Sequence, residues 1–414
     1  MHSIQLFLQQ LINGVQLGSV YALIAVGYTM VYGILKFINF AHGDVYMVGA
    51  YTGLFVVSGF YAAAGPGHAA SVDQRALVVV SGMVLTAVLI VSLRSVARKP
   101  ASILVRLILF ALILALLGTI VRTALAVCAA VFGVTNDLAL PSVHIGGPFA
   151  LIVFACRWVI VLAHRSVYVG GPLALIVSIV CCALLGLIIE RAAYKPIRGA
   201  GRLTALITAI GISLLIENGG QAVFGARNKA YTIASLPGGQ ALVGQTLNLR
   251  FGGIALSVNK GQIIVLLASV VLVSVLIYIV RKTRMGKAMR ATSFDRETAS
   301  LMGINTDTVI AFTFMLGSGL AGAGGFLNYG LTQFSFDTQT GVMFGLKAFV
   351  AAVLGGIGNL GGAVLGGIIM GLAETFVGGS PFSSYKDAIA FMILIVILLF
   401  RPAGLLGRFT VEKV

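Results

Sequence analysis

The chain has 414 residues, 59% of them hydrophobic and only 10% charged, with a mean hydropathy of +1.04. No soluble domain of that length buries so much apolar surface, which excludes a soluble enzyme or binding module and leaves a polytopic membrane protein. The formal net charge of +16 would point to nucleic acid in a soluble chain; here the basic residues sit at the ends of apolar runs, which argues for membrane lipid and against nucleic acid.

Long stretches alternating apolar and polar residues are missing, so the spans are helices rather than barrel strands. The expected fold class is an all-α polytopic membrane protein, about 9–11 transmembrane helices with re-entrant or broken segments. Residues 4–35 form a first span, with Gly14 and Gly18 at a spacing that permits close helix packing. The N-terminus lacks the basic region and small-residue cleavage site of a signal peptide, so this helix is expected to be retained. The polar stretch Lys36 to Asp44 then interrupts the apolar sequence before a second span at 45–60. It reads either as a plain turn or as a helix break whose freed backbone groups line a path through the protein.

Residues 61–75 read as an exposed loop, and 76–93 and 103–121 as two spans joined by a basic turn around Arg98. The piece 122–169 is too short or too polar to cross and reads as interfacial or re-entrant. Spans at 171–189 and 203–224 flank the basic turn at Lys195. The stretch 225–261, with loose alternation at 245–251, reads as an outer loop with short strands and a docking surface. A span at 262–280 leads to the polar island at 281–309, which opens with five basic residues. From Gly286 to Met302 its pattern is that of one helix, with Ala288, Met289, Thr292, Ala299 and Met302 on an apolar stripe and Gly303 as its stop. Spans at 308–327, 342–357, 364–377 and 388–400 complete the chain. If the turns around Arg98, Lys195 and Arg284 share the cytoplasmic side, 122–169 makes no net crossing, the N-terminus is periplasmic and the C-terminus cytoplasmic.

Chemistry-bearing motifs are few. Gly220 to Gly225 has the glycine gap of a P-loop, but Ala226 and Arg227 follow where Lys and Ser or Thr are required. No GxSxG, HExxH or CxxC occurs, and the four cysteines lie in apolar runs without metal-ligand spacing. Neither a cofactor nor a metal is expected. Ionisable groups within spans are Asp44, Arg122, Arg157, Glu217 and Glu374. Asp44, Glu190 and Glu217 fall near predicted span ends and read most simply as solvated. Glu374, inside GLAETFVGG, is the best candidate for an interior carboxylate.

The stretches NGVQLGSVYALIAVGYTMVYGILKFINFAHGDVYMVGAY, IIERAAYKPIR followed by LTALITAIGISLLIEN, RMGKAMRATSFDRETASLMGINTDTVIAFTF, GLKAFVAAVLGGIGNLGGAVLGG and RPAGLLGRFTVEKV together resemble the LivH-type permease of bacterial branched-chain amino-acid ABC importers. The resemblance covers roughly 4–60 and 170–414. It implies an inner-membrane transport subunit, not an enzyme, that forms half of a translocation pathway for leucine, isoleucine or valine. Its implied partners are a homologous second permease (LivM-type), two cytoplasmic ATPase subunits and a periplasmic binding protein. A coupling helix is implied at 286–303, bounded by Gly286 and Gly303, with contact roles for Arg290, Asp295 and Glu297. Asn39, His42, Asp44 and Glu374 are expected along the translocation path. The chain departs from the family at 61–169, expected to add a transmembrane hairpin at 76–121 and an interfacial segment between the first two transmembrane segments (1–60) and the remaining permease core (170–414). The alternative is a stand-alone secondary transporter or channel for small amphipathic solutes.

Overall fold

The computed structural model describes residues 2–62, 167–199, 201–230, 243, 245–251, 254–332 and 334–407. The hairpin expected at 76–121, the turn at Arg98 and the interfacial piece up to residue 166 lie outside the described residues, as do parts of the outer loop 225–261.

The chain runs through α1 (His2–Leu35), α2 (His42–Ala62) and α3 (Val167–Ile189), which continues into a π-helical turn at Glu190–Tyr194 and a helical turn at Lys195–Ile197. Then follow α4 (Arg202–Phe224), a hairpin of β1 (Thr246–Phe251) and β2 (Ile254–Asn259), α5 (Lys260–Lys282), α6 (Arg284–Phe294) and α7 (Arg296–Leu301). The last elements are α8 (Thr306–Thr332), α9 (Thr340–Gly355), α10 (Leu360–Gly378) and α11 (Lys386–Phe400). Among the described residues, 7 helices are long and apolar enough to cross a membrane: α1, α3 with its following turns, α4, α5, α8, α10 and α11. The fold is an all-α polytopic membrane protein with one small antiparallel hairpin, Thr246 pairing with Asn259 and Phe251 with Ile254.

The helices sort by burial. α2 and α8 are enclosed by protein on nearly all sides, and α1 joins them as the third member of the core. α4, α5 and α11 instead turn rows of Leu, Ile, Val and Phe outward, for example Leu203, Ile207, Ile210 and Leu214 on α4. In lipid such rows cost nothing, and helix association has to come from close packing and hydrogen bonds rather than from expelling water. The glycines supply that closeness. A Cβ on Gly18 of α1 would lie 2.7 Å from the Ile368 Cα of α10, and one on Gly371 would overlap the Gly18 backbone. The four-residue spacing of Gly14 and Gly18 therefore marks a real helix contact.

Hydrogen bonds define two ends. At one, Gln9 donates to the Ser257 carbonyl at 2.9 Å, Gln262 donates to Asn13 at 3.1 Å, and Lys229 bridges Phe336. At the other, Phe37 packs on Tyr194 with ring centroids 5.0 Å apart, and Arg198 donates to Asp307 at 2.6 Å. The Leu405 N–H reaches the Leu354 carbonyl there at 2.8 Å. The turns at Lys36, Lys195 and Arg284 and the segment after Arg401 thus share one end, while the start of α1 and the β-hairpin share the opposite one.

Candidate functional site

Thr283 organises the entry to the polar island. Its hydroxyl donates to the Ile279 carbonyl at 2.6 Å, closing α5, and accepts the Gly286 N–H at 3.1 Å, opening α6. One β-branched residue in extended conformation therefore ends one helix and caps the next. A Cβ on Gly286 would overlap the Val280 and Ile279 carbonyls, so only glycine lets α6 fold back on the end of α5. Met289 and Thr292 continue the buried face, and the Arg290 guanidinium donates to the Val280 carbonyl, one of the carbonyls left open at the end of α5.

The single helix expected over 286–302 is two. The backbone is extended at Asp295 (φ −149, ψ 117), which closes α6 and caps α7. Its carboxylate accepts the Glu297 N–H at 2.9 Å and the Thr298 N–H at 3.2 Å, and the Thr298 hydroxyl donates to it as well. The Thr298 hydroxyl, followed by the Thr298 and Glu297 amides, holds the Asp295 carboxyl below the usual carboxylate range. The break rotates the face of α7. Ala299 stays buried as expected, but Met302 does not join the stripe: Phe294, Leu301 and Met302 are 95%, 87% and 78% exposed. Gly303 stops the unit with φ +82, a left-handed turn that glycine adopts without strain.

Behind this pair α8 is tied to α3. Asp307, in the first turn of α8, accepts from both Lys195 and Arg198, and Arg198 also donates to Glu190. Burial pushes the Arg198 guanidinium below its ordinary range, against the opposing pull of Glu190 and Asp307. Glu190 is 1% exposed and Asp44 0%, so the solvated reading of these two span ends is overturned; Glu217 is half-buried. The reason is the same for both: each apparent span end turns inward onto neighbouring helices instead of leaving the bundle. A cavity of about 440 Å³ lies between α6, the last turns of α1 and the turn before α10, lined by Met30, Gly33, Met289, Arg290, Asn359 and Gly407 among others.

The stretch between α1 and α2 is buried too. Asn39 accepts the Tyr194 hydroxyl at 2.7 Å. His42 opens α2 with its ring edge-on to Tyr28, centroids 4.7 Å apart, and neither ring nitrogen makes a hydrogen bond of normal geometry. Gly27 leaves the room: a Cβ there would overlap the imidazole. Asp44 Oδ2 accepts from the Ser213 hydroxyl of α4, and Oδ1 meets no donor. Asn39, His42 and Asp44 are thus each buried, and each side chain meets a different neighbour: Tyr194, Tyr28 and Ser213.

Glu374 lies apart, two turns along α1, where Tyr21 donates to it at 2.6 Å. Lys347 of α9 donates to Glu374 at 2.5 Å and to Asp387 of α11 at 2.6 Å. Lys347 is a residue that sequence reasoning missed, although a lone lysine inside the apolar run 342–357 was a signal in itself. Tyr21, Tyr194 and Ser213 carried none, because hydroxyl side chains are ordinary in apolar helices.

A multi-pass helical bundle with buried polar residues at helix breaks and an exposed, capped helix pair between two spans has the build of a membrane transport subunit. The chain belongs to the branched-chain amino acid transport system permease component family, whose model matches residues 10–125 and 121–398. It is 35% identical over 410 residues to the high-affinity branched-chain amino acid transport system permease protein LivH of Escherichia coli, covering 99% of this chain and 98% of that one. It is 33% identical over 408 residues to the permease protein BraD of Pseudomonas aeruginosa, at the same coverage. A probable LivH of Methanocaldococcus jannaschii is 30% identical over 237 residues, 54% of this chain and 71% of the relative. No solved structure matches the chain at significance. The chain is thus an ABC-type transport permease and a multi-pass inner-membrane protein.

Proposed function

We propose that the chain imports leucine, isoleucine and valine as one of two homologous permeases, each forming half of the path, driven by two ATPase subunits and supplied by a periplasmic binding protein. LivH of Escherichia coli and BraD of Pseudomonas aeruginosa are permease proteins of high-affinity branched-chain amino acid transport systems, and the sequence offers no nucleotide-binding motif of its own.

The observation that carries the reading is the α6–Asp295–α7 unit. Three large apolar side chains stand exposed among charged ones on a short, internally capped helix pair whose ends are covalently the ends of α5 and α8. An apolar ridge with a charged rim is what a groove on a soluble partner accepts. Displacing the unit would pull on α8 directly and on α3 through Asp307, and the cavity behind α6 gives it room to move. The basic end, holding Lys195, Arg198, Arg284 and Arg290, is assigned to the cytoplasm, and the β-hairpin end, with the N-terminus, to the periplasm. Asn39, His42 and Asp44 are assigned to the path; Glu374, already engaged by Lys347 and Tyr21, is assigned a supporting role beside it.

Charge reversal Glu297→Arg, with Leu301→Ser as an uncharged control of the same surface, is expected to lower leucine uptake at least about tenfold, the equivalent of roughly 1.4 kcal/mol of lost docking. Membrane insertion should be unchanged. Undiminished uptake by both variants would count against the docking role. Leucine flux from the purified chain alone in liposomes would favour the stand-alone transporter instead.

A further inference from the structure

We infer that Asp44 binds the α-ammonium group of the transported amino acid, whose apolar side chain lodges in the pocket between α2, α3 and α4. This rests on the importer reading and deepens it by naming the groups that hold the substrate. The carboxylate is fully buried, with one oxygen on Ser213 and the other facing no donor. Among the described residues no Lys, Arg or His of the chain forms an ion pair with it. Its counterparts at the other interior carboxylates are met: Glu190 by Arg198, Glu374 by Lys347. A carboxylate isolated in a low-dielectric interior either takes a proton or shares a cation, and an arriving ammonium group would stabilise its charged form. Among the described residues Asp44 is a fully buried carboxylate that meets no cation, and an incoming ammonium group would supply one.

The second observation is steric. A pocket of about 150 Å³ lies one turn further along, lined by Val48, Leu185, Ile216, Gly220, Val223 and Phe224, with no charged side chain in its wall. Val48 follows Asp44 by four residues on α2, and Ile216 and Gly220 follow Ser213 by three and seven on α4, so carboxylate and pocket share the same helix faces. The recess opens on the side of Leu215 and Gly219, and about 150 Å³ of apolar space matches a benzene-sized group, which leaves room for an isobutyl or sec-butyl group. Ammonium on one side and a branched hydrocarbon one turn away are the two features an aliphatic α-amino acid presents. A deaminated acid of the same shape would place a second negative charge beside Asp44 and be rejected.

The test uses the chain purified with the proteins that accompany it, in nanodiscs for binding and in sealed proteoliposomes for uptake, with 3-methylbutan-1-amine and 4-methylpentanoate as probes. Calorimetry should show the amine binding and competing with leucine uptake, and the acid doing neither. Asp44→Asn should lose amine binding and lower uptake at least tenfold. Gly219→Leu offers a second variant at the exposed rim of the pocket: a Cβ there meets no atom within 4 Å, so the helix accepts a leucine that crowds the pocket mouth. It should weaken the amine but leave methylamine competition unchanged. Amine binding retained by Asp44→Asn, acid binding as tight as amine, or full amine affinity in Gly219→Leu would each overturn the assignment; if Asp44→Asn does not fold, Gly219→Leu and the acid probe still decide. Loss of uptake in Glu297→Arg with normal uptake in Asp44→Asn would leave the importer reading standing and remove this one alone.

Discussion

Lys347 shows how a single charge is tolerated inside the bundle. Its ammonium is shared between Glu374 and Asp387, with Tyr21 completing the Glu374 shell, so one cation joins α9 to α10 and α11. Removing one member of a buried ion pair strands the other, at a cost of about 3–5 kcal/mol. Lys347→Leu is expected to lower stability in detergent by that order, mostly through Glu374, because Asp387 is nearly half exposed and screened. The double variant Lys347→Leu/Glu374→Gln should recover much of the loss, measured by thermal unfolding; a double variant as unstable as the single one would show that the pair is not what holds these helices. Glu374 could be picked out from the sequence as an interior carboxylate. Its partner could not be paired with it, since 27 residues and a helix reversal separate them.

At the scale of elements, the hinge at Asp295 sets the shape of the exposed unit. Periodicity carried one helix through 286–302 because the apolar positions continue past Asp295 almost in register; the break is a local hydrogen-bond choice that a period of 3.6 does not report. Asp295→Ala removes the cap of α7 and should loosen its first turn, while Asp295→Asn keeps most of the cap. Hydrogen exchange at the Glu297 and Thr298 amides reads this directly, and equal protection in the Ala and Asn variants would refute it. The pH dependence has a definite sign. The folded carboxyl titrates below its unfolded value, so its contribution is complete above the ordinary aspartate pKa of about 3.9 and disappears as pH falls through the lower, folded value. Protection of α7, corrected for intrinsic rates, should be flat between about pH 5 and 8 and fall only in acid below that window.

For the whole molecule, the hydrogen-bonded ends make sidedness testable. A cysteine at Glu297 should react with a membrane-impermeant maleimide only from the cytoplasmic side, and one at Lys386 only from the periplasmic side; the reverse pattern would invert the topology and remove any grip from the cytosol. Deleting 76–121, which lies outside the described residues, is expected to leave downstream spans in their original orientation in reporter fusions, and inverted reporters would exclude a hairpin there.

The membrane class, most span positions and the location of the polar island are legible in the residue order alone, because composition, run length and clustered charge are local properties that lipid reads directly. It also marked Gly18 and Gly303, whose roles depend on the absence of a side chain. That Asp44 and Glu190 are interior, that Lys347 answers Glu374, and that an apolar pocket lies one turn along α2 and α4 from Asp44 and Ser213 emerges only from how the helices assemble. Those are consequences of which helices meet, and in a uniformly apolar chain almost any two faces could meet; it is glycine-mediated close packing, not hydrophobic pattern, that selects among them.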